Sequence, residues 1–130
     1  MLKEIPIRTT QRMEFIDITP LVRKAIREGG VKEGVCHIYI PHTTAAVTIN
    51  EGADPDVVKD IVRQLDRLVP LDGNYSHQEG NAAAHIKASI LGSSKAVLIE
   101  EGELVIGTWQ AIFFCEFDGP RTRKVLLKVV

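Results

Sequence analysis

The chain has 130 residues, a quarter of them charged, and a formal net charge of −1. This length predicts one domain with a substantial hydrophobic core. The balanced charge excludes the basic surface that holds nucleic acid by counterion release. No apolar run approaches the ~20 residues of a membrane span, and the first residues lack the apolar centre of a signal peptide. We therefore expect a cytoplasmic protein that binds neither nucleic acid nor membranes.

The two cysteines, Cys36 and Cys115, each fall in an apolar run with the pattern of a strand. Free cysteine is among the residue types most often buried, and disulfides are rare in the cytoplasm. We therefore expect two buried thiols rather than a disulfide or a metal-binding pair.

The first third of the chain predicts two strands and a helix. Residues 1–10 and 12–18 are rich in Ile and Thr, a composition typical of strands, and a tight turn joins them. A helix follows, with Asp17 or Thr19 as its cap and Gly29 near its end.

The middle of the chain begins with two further strands, residues 33–41 and 45–50, and the strand pattern is interrupted between them. A second helix is capped by Asp54, has Pro55 at its first position and ends before Pro70. Its apolar residues recur at helical spacing, which predicts one face packed on the core.

A third, shorter helix is predicted over residues 81–91. On a helical wheel Ala83, Ile86 and Ile90 form the apolar stripe, and His85 lies away from that stripe among small side chains. This arrangement leaves space beside His85 for a ligand or another subunit.

The rest of the chain predicts a loop followed by strands. Residues 71–80 carry turn-forming Asp, Gly, Asn and Ser, and four strands are expected at 95–100, 104–106, 109–117 and 123–130. The order of elements predicts a single α+β domain over the whole chain. We expect a mixed, largely antiparallel sheet with two to three helices on one face.

Residues 109–117 are apolar on both faces of the predicted strand. In so small a domain a strand buried on both sides needs a second layer or a neighbouring subunit, which favours a homo-oligomer.

Three of the four histidines, His42, His77 and His85, lie in polar clusters. Histidine titrates near neutrality and is the commonest metal ligand, so the three predict a functional site. The alternative for the first cluster is that Thr43 and Thr44 only satisfy backbone groups at a strand break. His37 lies within a strand pattern and is interpreted as structural.

Acidic residues near the second helix give further candidates. Asp54 is explained as the helix cap. Glu51 is not needed for capping, so it is a candidate metal ligand or general base, with a solvated loop carboxylate as the alternative.

Near the end of the chain Gln110, Glu116 and Asp118 share one face of a strand and its extension. Arg121 and Arg123 follow a tight turn and share a parity. Two arginines on one face can grip a phosphate, and they can equally pair with Glu116 or Asp118. The residues alone leave these alternatives open. Asn81 is predicted to cap the third helix, and the three alanines that follow leave the backbone N–H groups of the first turn open to an anion, with ordinary helix propensity as the alternative explanation of the alanines.

Three segments together resemble the YjbQ family, also called UPF0047 or "secondary thiamine-phosphate synthase enzyme". They are HTTAAVTINEGADPD, YSHQEGNAAAHIKASILG and GTWQAIFFCEFDGPRTR, which start at His42, Tyr75 and Gly107. The likeness spans essentially the whole chain. It implies a small α+β subunit that forms a homotrimer, with the polar clusters near subunit boundaries. It also implies a weak or secondary thiamine-phosphate synthase activity.

On this basis each candidate receives a role. Catalysis is assigned to His42, His85 and Glu51, and substrate or phosphate binding to Thr43, Thr44, Asn81, Lys87, Gln110, Arg121 and Arg123. A divalent metal, Mg²⁺ or Zn²⁺, is assigned to His42, His77 and His85, with Glu116 and Asp118 as alternative ligands.

Three functions are compatible with this inventory. A thiamine-phosphate synthase must neutralise phosphate charge, which cations and Mg²⁺ do. A zinc-type hydrolase would use the three histidines and a metal-bound water. A trimeric binder would hold a phosphorylated metabolite without turnover.

Overall fold

The computed structural model describes residues 2–130, and Met1, where the first predicted strand begins, lies outside them. The described chain forms eight strands and three helices. In chain order they are β1 (Leu2–Arg8), β2 (Glu14–Asp17), α1 (Thr19–Glu28), β3 (Gly34–Tyr39), β4 (Ala45–Glu51), α2 (Pro55–Leu68), α3 (Ala82–Leu91), β5 (Ser94–Glu100), β6 (Glu103–Val105), β7 (Gln110–Glu116) and β8 (Thr122–Val129).

The strands form two curled antiparallel sheets, which confirms the α+β class. The five-stranded sheet has the order β1-β8-β3-β5-β6, and the three-stranded sheet has the order β2-β7-β4. Consecutive strands β1 and β2 pair with β8 and β7 respectively, so the segment between them crosses from one sheet to the other. The chain crosses again between β3 and β4.

Two hydrophobic cores lie on opposite sides of the three-stranded sheet. The first fills the space between the two sheets and includes α1 side chains. The second lies between the three-stranded sheet and the helices α2 and α3. Strand β7 therefore sends Ile112 and Phe114 into the first core, and Phe113 and Cys115 into the second. The second layer that its two apolar faces require is supplied by the same chain.

Both cysteines are buried, as their apolar surroundings predict. Burial raises the pKa of Cys36 to about 11 and raises that of Cys115 further. Both thiols are therefore protonated at neutral pH and chemically quiet.

The structure contains both of the longer predicted helices, α1 and α2. The carboxylate of Asp54 accepts a hydrogen bond from the Asp56 amide at 2.9 Å, which confirms the predicted cap. At α1 the predicted cap was wrong, because Ile18 is the N-cap and makes no side-chain cap hydrogen bond. Asp17 accepts from the amide of Thr19 at 2.9 Å just before the helix, while the Thr19 hydroxyl accepts from the Ile112 amide. The longest helix, α2, has 14 residues, and no helix within residues 2–130 has the length and apolar content needed to cross a bilayer.

The predicted core stripe of α3 was wrong for Ile86 and Ile90, although its third member, Ala83, is buried. Ile86 and Ile90 are 38% and 59% exposed, whereas Ala84 and Ala88 are buried in the second core. Small side chains let the helix backbone approach β4 closely, so the alanines form the packed face and the isoleucines point outward. The helical wheel ranked residues by hydrophobicity and missed this close approach.

A buried ion pair joins the two sheets. Glu116 at the end of β7 is 0% exposed, and Arg123 near the start of β8 is 7% exposed. The guanidinium contacts both carboxylate oxygens, with Nε donating to Oε1 at 2.9 Å. Arg123 also donates to the Thr44 hydroxyl at 2.8 Å, and the Thr9 hydroxyl donates to Glu116 at 2.8 Å.

The charge on Glu116 is stabilised in place. Burial raises the pKa of this carboxyl, but hydrogen bonds from Arg123, Thr9 and the Asp118 amide outweigh burial, so the pKa lies below its ordinary value. Both carboxylate oxygens are used in these bonds.

Removing one member of this pair should strongly destabilise the fold. Arg123→Met leaves Glu116 buried without its partner, and we expect a loss of about 3–5 kcal/mol in the free energy of unfolding, measured by urea denaturation. The double variant Glu116→Leu/Arg123→Met should regain part of this loss, because no charge is then left buried.

The control is Lys24→Met, which breaks the exposed Lys24–Glu28 pair, 3.8 Å apart. It should cost less than about 1 kcal/mol. Equal losses in Arg123→Met and Lys24→Met would contradict a structural role for the buried pair.

Candidate functional site

His42 lies between β3 and β4, next to the start of β8. Its Nε2 accepts a hydrogen bond from the backbone N–H of Lys124 at 3.0 Å. A neutral imidazole has one lone pair, so this bond leaves the proton on Nδ1. Burial and then the positive charge of Arg123 lower the pKa of His42 from its ordinary 6.5. At neutral pH His42 is therefore an uncharged Nδ1–H donor.

His42 and His85 line one cleft of about 470 Å³, which we call the His42 cleft. Its other lining residues are hydroxyl-bearing or small, namely Thr43, Ala45, Ala88, Ser89, Gly92 and Ser93. Among residues 2–130, no carboxylate lines this cleft. The fold places His42 and His85 in one cleft, and the hydroxyl groups of this cleft can donate hydrogen bonds to an anion.

His85 also lines a second cleft of about 380 Å³, which we call the Tyr75 cleft. The other lining residues are Tyr75, Ser76, His77, Ala82 and Ile86. The rings of His77 and His85 meet edge to face, with their centroids 5.2 Å apart. The three histidines therefore occupy two adjoining clefts that share His85, rather than the single pocket expected for a metal site.

A chain of hydrogen bonds starts at His77. Its Nε2 lies 3.0 Å from Oδ1 of Asn81, and because an amide oxygen only accepts, His77 is the donor. Asn81 in turn donates through Nδ2 to Asp118 at 2.9 Å. Asn81 occupies the N-cap position of α3, but its side chain makes no cap hydrogen bond. The predicted capping role is wrong, since the side chain instead joins the loop before α3 to the turn after β7.

Asp118 continues this chain to the buried pair. Its amide donates to Glu116 at 3.1 Å, and Arg121 donates to its carboxylate at 2.9 Å and to its carbonyl at 2.8 Å. Burial raises the pKa of Asp118, and the bonds from Asn81 and Arg121 lower it to a net value below the ordinary one. Polar contacts thus run from His77 to Arg123.

The turn after β7 packs very closely against this network. A Cβ at Gly119 would lie 2.8 Å from Cγ of Glu116 and 2.9 Å from the Thr9 hydroxyl. Only glycine leaves room for this approach, which sets the position of Asp118 relative to Glu116.

The structure distinguishes internal pairing from ligand contact for the arginines and threonines. Arg123 and Thr44 are buried and bonded to each other, so both act inside the protein rather than at a ligand. Arg121 pairs with Asp118 but is half-exposed beside the turn. Thr43 is exposed and lines the His42 cleft.

Glu51 and Gln110 lie at the far end of the three-stranded sheet. They pair with each other, whereas Ala45 pairs with Glu116. Six residues of strand separate the two levels, which is about 20 Å. Glu51 accepts hydrogen bonds from the amides of Ala53 and Asp54 at 2.7 and 3.3 Å, so its carboxylate is engaged in the turn before α2, while Asp54 makes the cap as predicted. Gln110 accepts from the Gly107 amide.

Lys87 is 1% exposed and lines neither cleft. Its ammonium donates to Asp66 of α2 and to the Met13 sulfur. The structure does not bring this predicted phosphate ligand to the histidines. Lys87 instead ties α3 to α2 and β2.

Two residues of the clefts were not selected from the sequence. Ser93 comes next to His42 because β5 pairs with β3, and the Ile40 amide donates to the Ser93 carbonyl at 2.8 Å. Tyr75 lies on a loop with no periodic pattern. The Gly-Ser-Ser sequence after α3 was a turn signal, but its position opposite His42 follows only from strand pairing.

Within residues 2–130, no three His, Cys, Asp or Glu side chains are grouped so that they can hold a metal ion. His42 uses its lone pair for the Lys124 amide, and Glu116 is neutralised by Arg123. Residues 2–130 of one chain therefore do not form the predicted three-histidine metal centre.

The chain is similar to proteins of one family along nearly its full length. A profile described as "UPF0047 protein YjbQ-like" matches residues 3–130. UPF0047 protein YugU of Bacillus subtilis is 52% identical, over all of this chain and 99% of its own length. UPF0047 protein MJ1081 of Methanocaldococcus jannaschii is 50% identical, over all of this chain and 94% of its own length.

Solved structures agree with this likeness. An uncharacterised YjbQ/UPF0047 protein from Clostridium acetobutylicum is 54% identical with a TM-score of 0.96, and the match covers 98% of this chain and 99% of that one. A protein from Sulfolobus solfataricus, described as of unknown function, is 33% identical with a TM-score of 0.95, and the match covers 99% and 95% of the two chains.

His42 should make the stability of the protein depend on pH. Because its pKa is lower in the folded chain than the ordinary 6.5, the unfolded chain binds a proton first. The free energy of unfolding should therefore decrease as the pH falls below about 6.5. Glu116 and Asp118 also have lowered pKa values. They should reduce the free energy of unfolding further only when the pH falls below their ordinary pKa values of 4.5 and 3.8.

His42→Gln keeps an acceptor for the Lys124 amide but removes the titrating group. The free energy of unfolding of this variant, measured in a series of urea unfolding curves, should therefore decrease less between about pH 6.5 and 5 than that of the wild type. His37→Gln, at an exposed position of β3, is the control, and its free energy of unfolding should decrease with pH as in the wild type. Identical slopes in the wild type and His42→Gln would contradict the assignment.

Proposed function

The chain belongs to the YjbQ-like UPF0047 family, and from that premise we propose that it binds a phosphorylated small molecule in the His42 cleft. The observation that carries the proposal is the lining of this cleft. His42 offers an Nδ1–H, Thr43 and Ser93 offer hydroxyls, and no carboxylate among residues 2–130 opposes a bound anion. Phosphate oxygens are strong acceptors for such donors.

The activity that we propose for this site is a weak, secondary thiamine-phosphate synthase reaction, the one that the resemblance implies. The thiazole nitrogen of one substrate attacks the methylene carbon of a pyrimidine pyrophosphate, the C–O bond breaks, and pyrophosphate leaves with the electron pair. Negative charge accumulates on the leaving group, so donors aimed at it favour the transition state. His42 is the proposed donor, with His85 beside it.

Arg121 is the proposed cation of the site, and it lies three residues before Lys124, whose amide binds His42. It is half-exposed and held by Asp118, so its planar group is oriented without being buried. Oriented guanidinium groups bind phosphate more specifically than a flexible ammonium. A divalent metal is proposed as a partner of the pyrophosphate itself, since Mg²⁺ is commonly held by substrate phosphates and few protein carboxylates.

A zinc-type hydrolase is the second candidate. The adjacency of His77 and His85, with ring centroids 5.2 Å apart, favours it. His77 donates through Nε2, which leaves its Nδ1 lone pair available for a metal. A further ligand would have to come from another subunit. The non-catalytic binder differs from both in having no turnover.

The functional test combines binding with turnover. Inorganic phosphate should bind the wild type, and His42→Phe should weaken binding at least about tenfold, because a hydrogen bond to a charged group contributes roughly 1.5–3 kcal/mol. His37→Phe is the matched control and should bind normally. Isothermal titration calorimetry measures both.

Turnover is assayed with both phosphorylated precursors, with Mg²⁺ and with a chelator. Thiamine phosphate should form, and Arg121→Ala should reduce the rate at least about tenfold. No effect of Arg121→Ala would remove Arg121 from this role. Hydrolysis of the phosphorylated precursors that depends on tightly bound zinc would favour the hydrolase. Phosphate binding without any turnover would favour the non-catalytic binder.

We also propose that the protein is a cytoplasmic homotrimer. The outer face of the five-stranded sheet exposes Tyr39, Leu98 and Val105, and this apolar surface supports association. Sedimentation equilibrium should give about three times the chain mass of 14.4 kDa. Leu98→Glu should shift the protein toward smaller species, whereas a monomeric wild type would contradict the proposal.

A further inference from the structure

Trp109, the only tryptophan of the chain, lies in the turn before β7 and is 65% exposed. Hydrogen bonds hold this turn in place. The Trp109 carbonyl accepts from the Gly52 amide at 2.9 Å, and the Gln110 side chain accepts from the Gly107 amide at 2.7 Å. A large aromatic side chain on a fixed backbone loses little entropy on contact and is a frequent anchor of protein interfaces. Trp109 is therefore well placed to contact a surface outside its own chain.

Glu51 lies next to this turn, at the end of β4. Its strand partner is Gln110, the residue after Trp109. The amides of Ala53 and Asp54 both donate to Oε2 of Glu51, and within residues 2–130 Oε1 has no hydrogen bond. This end of the three-stranded sheet, which we call the Trp109 end, therefore presents an indole ring and a carboxylate oxygen together.

The histidine clefts lie at the opposite end of the same sheet. Six residues of strand, about 20 Å, separate the level of Glu51 from the level of Glu116. The turn after Glu116 connects through Asp118 and Asn81 to His77. This distance exceeds the length of a side chain, so the Trp109 end meets these clefts only when a second copy of the chain brings it there.

The Tyr75 cleft has the chemistry that an indole ring requires. Its lining includes the rings of Tyr75 and His77 and the aliphatic side chain of Ile86, and among residues 2–130 no Lys, Arg, Asp or Glu lines it. The rings of His77 and His85 already meet edge to face, the arrangement that aromatic side chains prefer. The adjoining His42 cleft lacks a carboxylate, which the Trp109 end carries.

The symmetry of a closed trimer also requires contact between unlike surfaces. In such a ring each copy meets its two neighbours through two different patches. The outer face of the five-stranded sheet, proposed above as an interface, includes exposed Val105 at the end of β6, four residues before Trp109. The Trp109 end therefore adjoins this face and can act with it as one of the two patches.

We infer that Trp109 of one copy packs into the Tyr75 cleft of the next copy, so that two copies build each site. The indole covers the cleft beside His85, and Glu51 of the same copy approaches the histidines. This inference rests on the proposed function and on the proposed homotrimer, and it names the residues that a neighbour contributes to the site.

Tryptophan fluorescence tests the contact, because Trp109 is the only tryptophan and a buried indole emits at shorter wavelength than an exposed one. Ile86→Glu places a charge in the Tyr75 cleft, so the emission maximum should shift to longer wavelength than in the wild type. The matched control is Ile90→Glu, one turn further along α3, where the side chain is exposed and lines neither cleft. Its emission should equal that of the wild type.

Mixing two variants tests which copy supplies which part. Trp109→Leu has no tryptophan but an intact Tyr75 cleft, whereas Ile86→Glu has Trp109 but a charged cleft. After subunit exchange the emission of Ile86→Glu should return towards the wild-type wavelength, because its Trp109 enters the cleft of a Trp109→Leu copy. The double variant Trp109→Leu/Ile86→Glu is the control partner and should leave the emission unchanged.

The outcomes separate this inference from the proposed function. Equal emission of the wild type and Ile86→Glu, equal shifts in Ile86→Glu and Ile90→Glu, or no recovery on mixing would overturn the shared site. Binding of inorganic phosphate, measured by calorimetry, would then still support the His42 cleft. If the emission behaves as expected but phosphate does not bind, the proposed function is wrong and the contact stands. A monomeric wild type would overturn both the homotrimer and the shared site.

Discussion

The ion pair between Glu116 and Arg123 joins the two sheets at the end of the molecule where the histidines lie. Buried charges of this kind are costly unless every polar atom has a partner. Thr9, Thr44 and the Asp118 amide provide those partners. Because Arg123 is held by Glu116 of β7, the next residue of β8, Lys124, presents its amide at a fixed position, and that amide donates to Nε2 of His42.

The same anchor extends to the other side of the site. The turn that follows Glu116 places Asp118 where Asn81 reaches it, and Asn81 holds His77. The two walls of the site therefore come from distant parts of the chain but depend on one buried pair. Between them α3 packs through alanines, which brings His85 close to both walls. The ion pairs hold the geometry, and uncharged side chains line the His42 cleft.

The sequence predicted much of the fold because most elements carry local signals. The cap and proline at the start of α2 are an example. The sequence predicted the site less well, because strand pairing decides which residues come together there. Glu51 and Gln110 belong to the far end of the β4–β7 pair, which no local pattern reveals. The side chain of Asn81 was assigned by its position before a helix, yet a longer-range partner, Asp118, holds it.

The backbone amide of Lys124 holds His42, a lining residue of the His42 cleft, as an uncharged Nδ1–H donor. ¹⁵N-edited NMR of the histidine side chains at neutral pH tests it most directly, because Nδ1 and Nε2 shifts distinguish the tautomers. We expect His42 to carry its proton on Nδ1, with Nε2 unprotonated, and the Nδ1 resonance to shift when inorganic phosphate is added. An Nε2–H tautomer, or an Nδ1 resonance that ignores phosphate, would contradict the account.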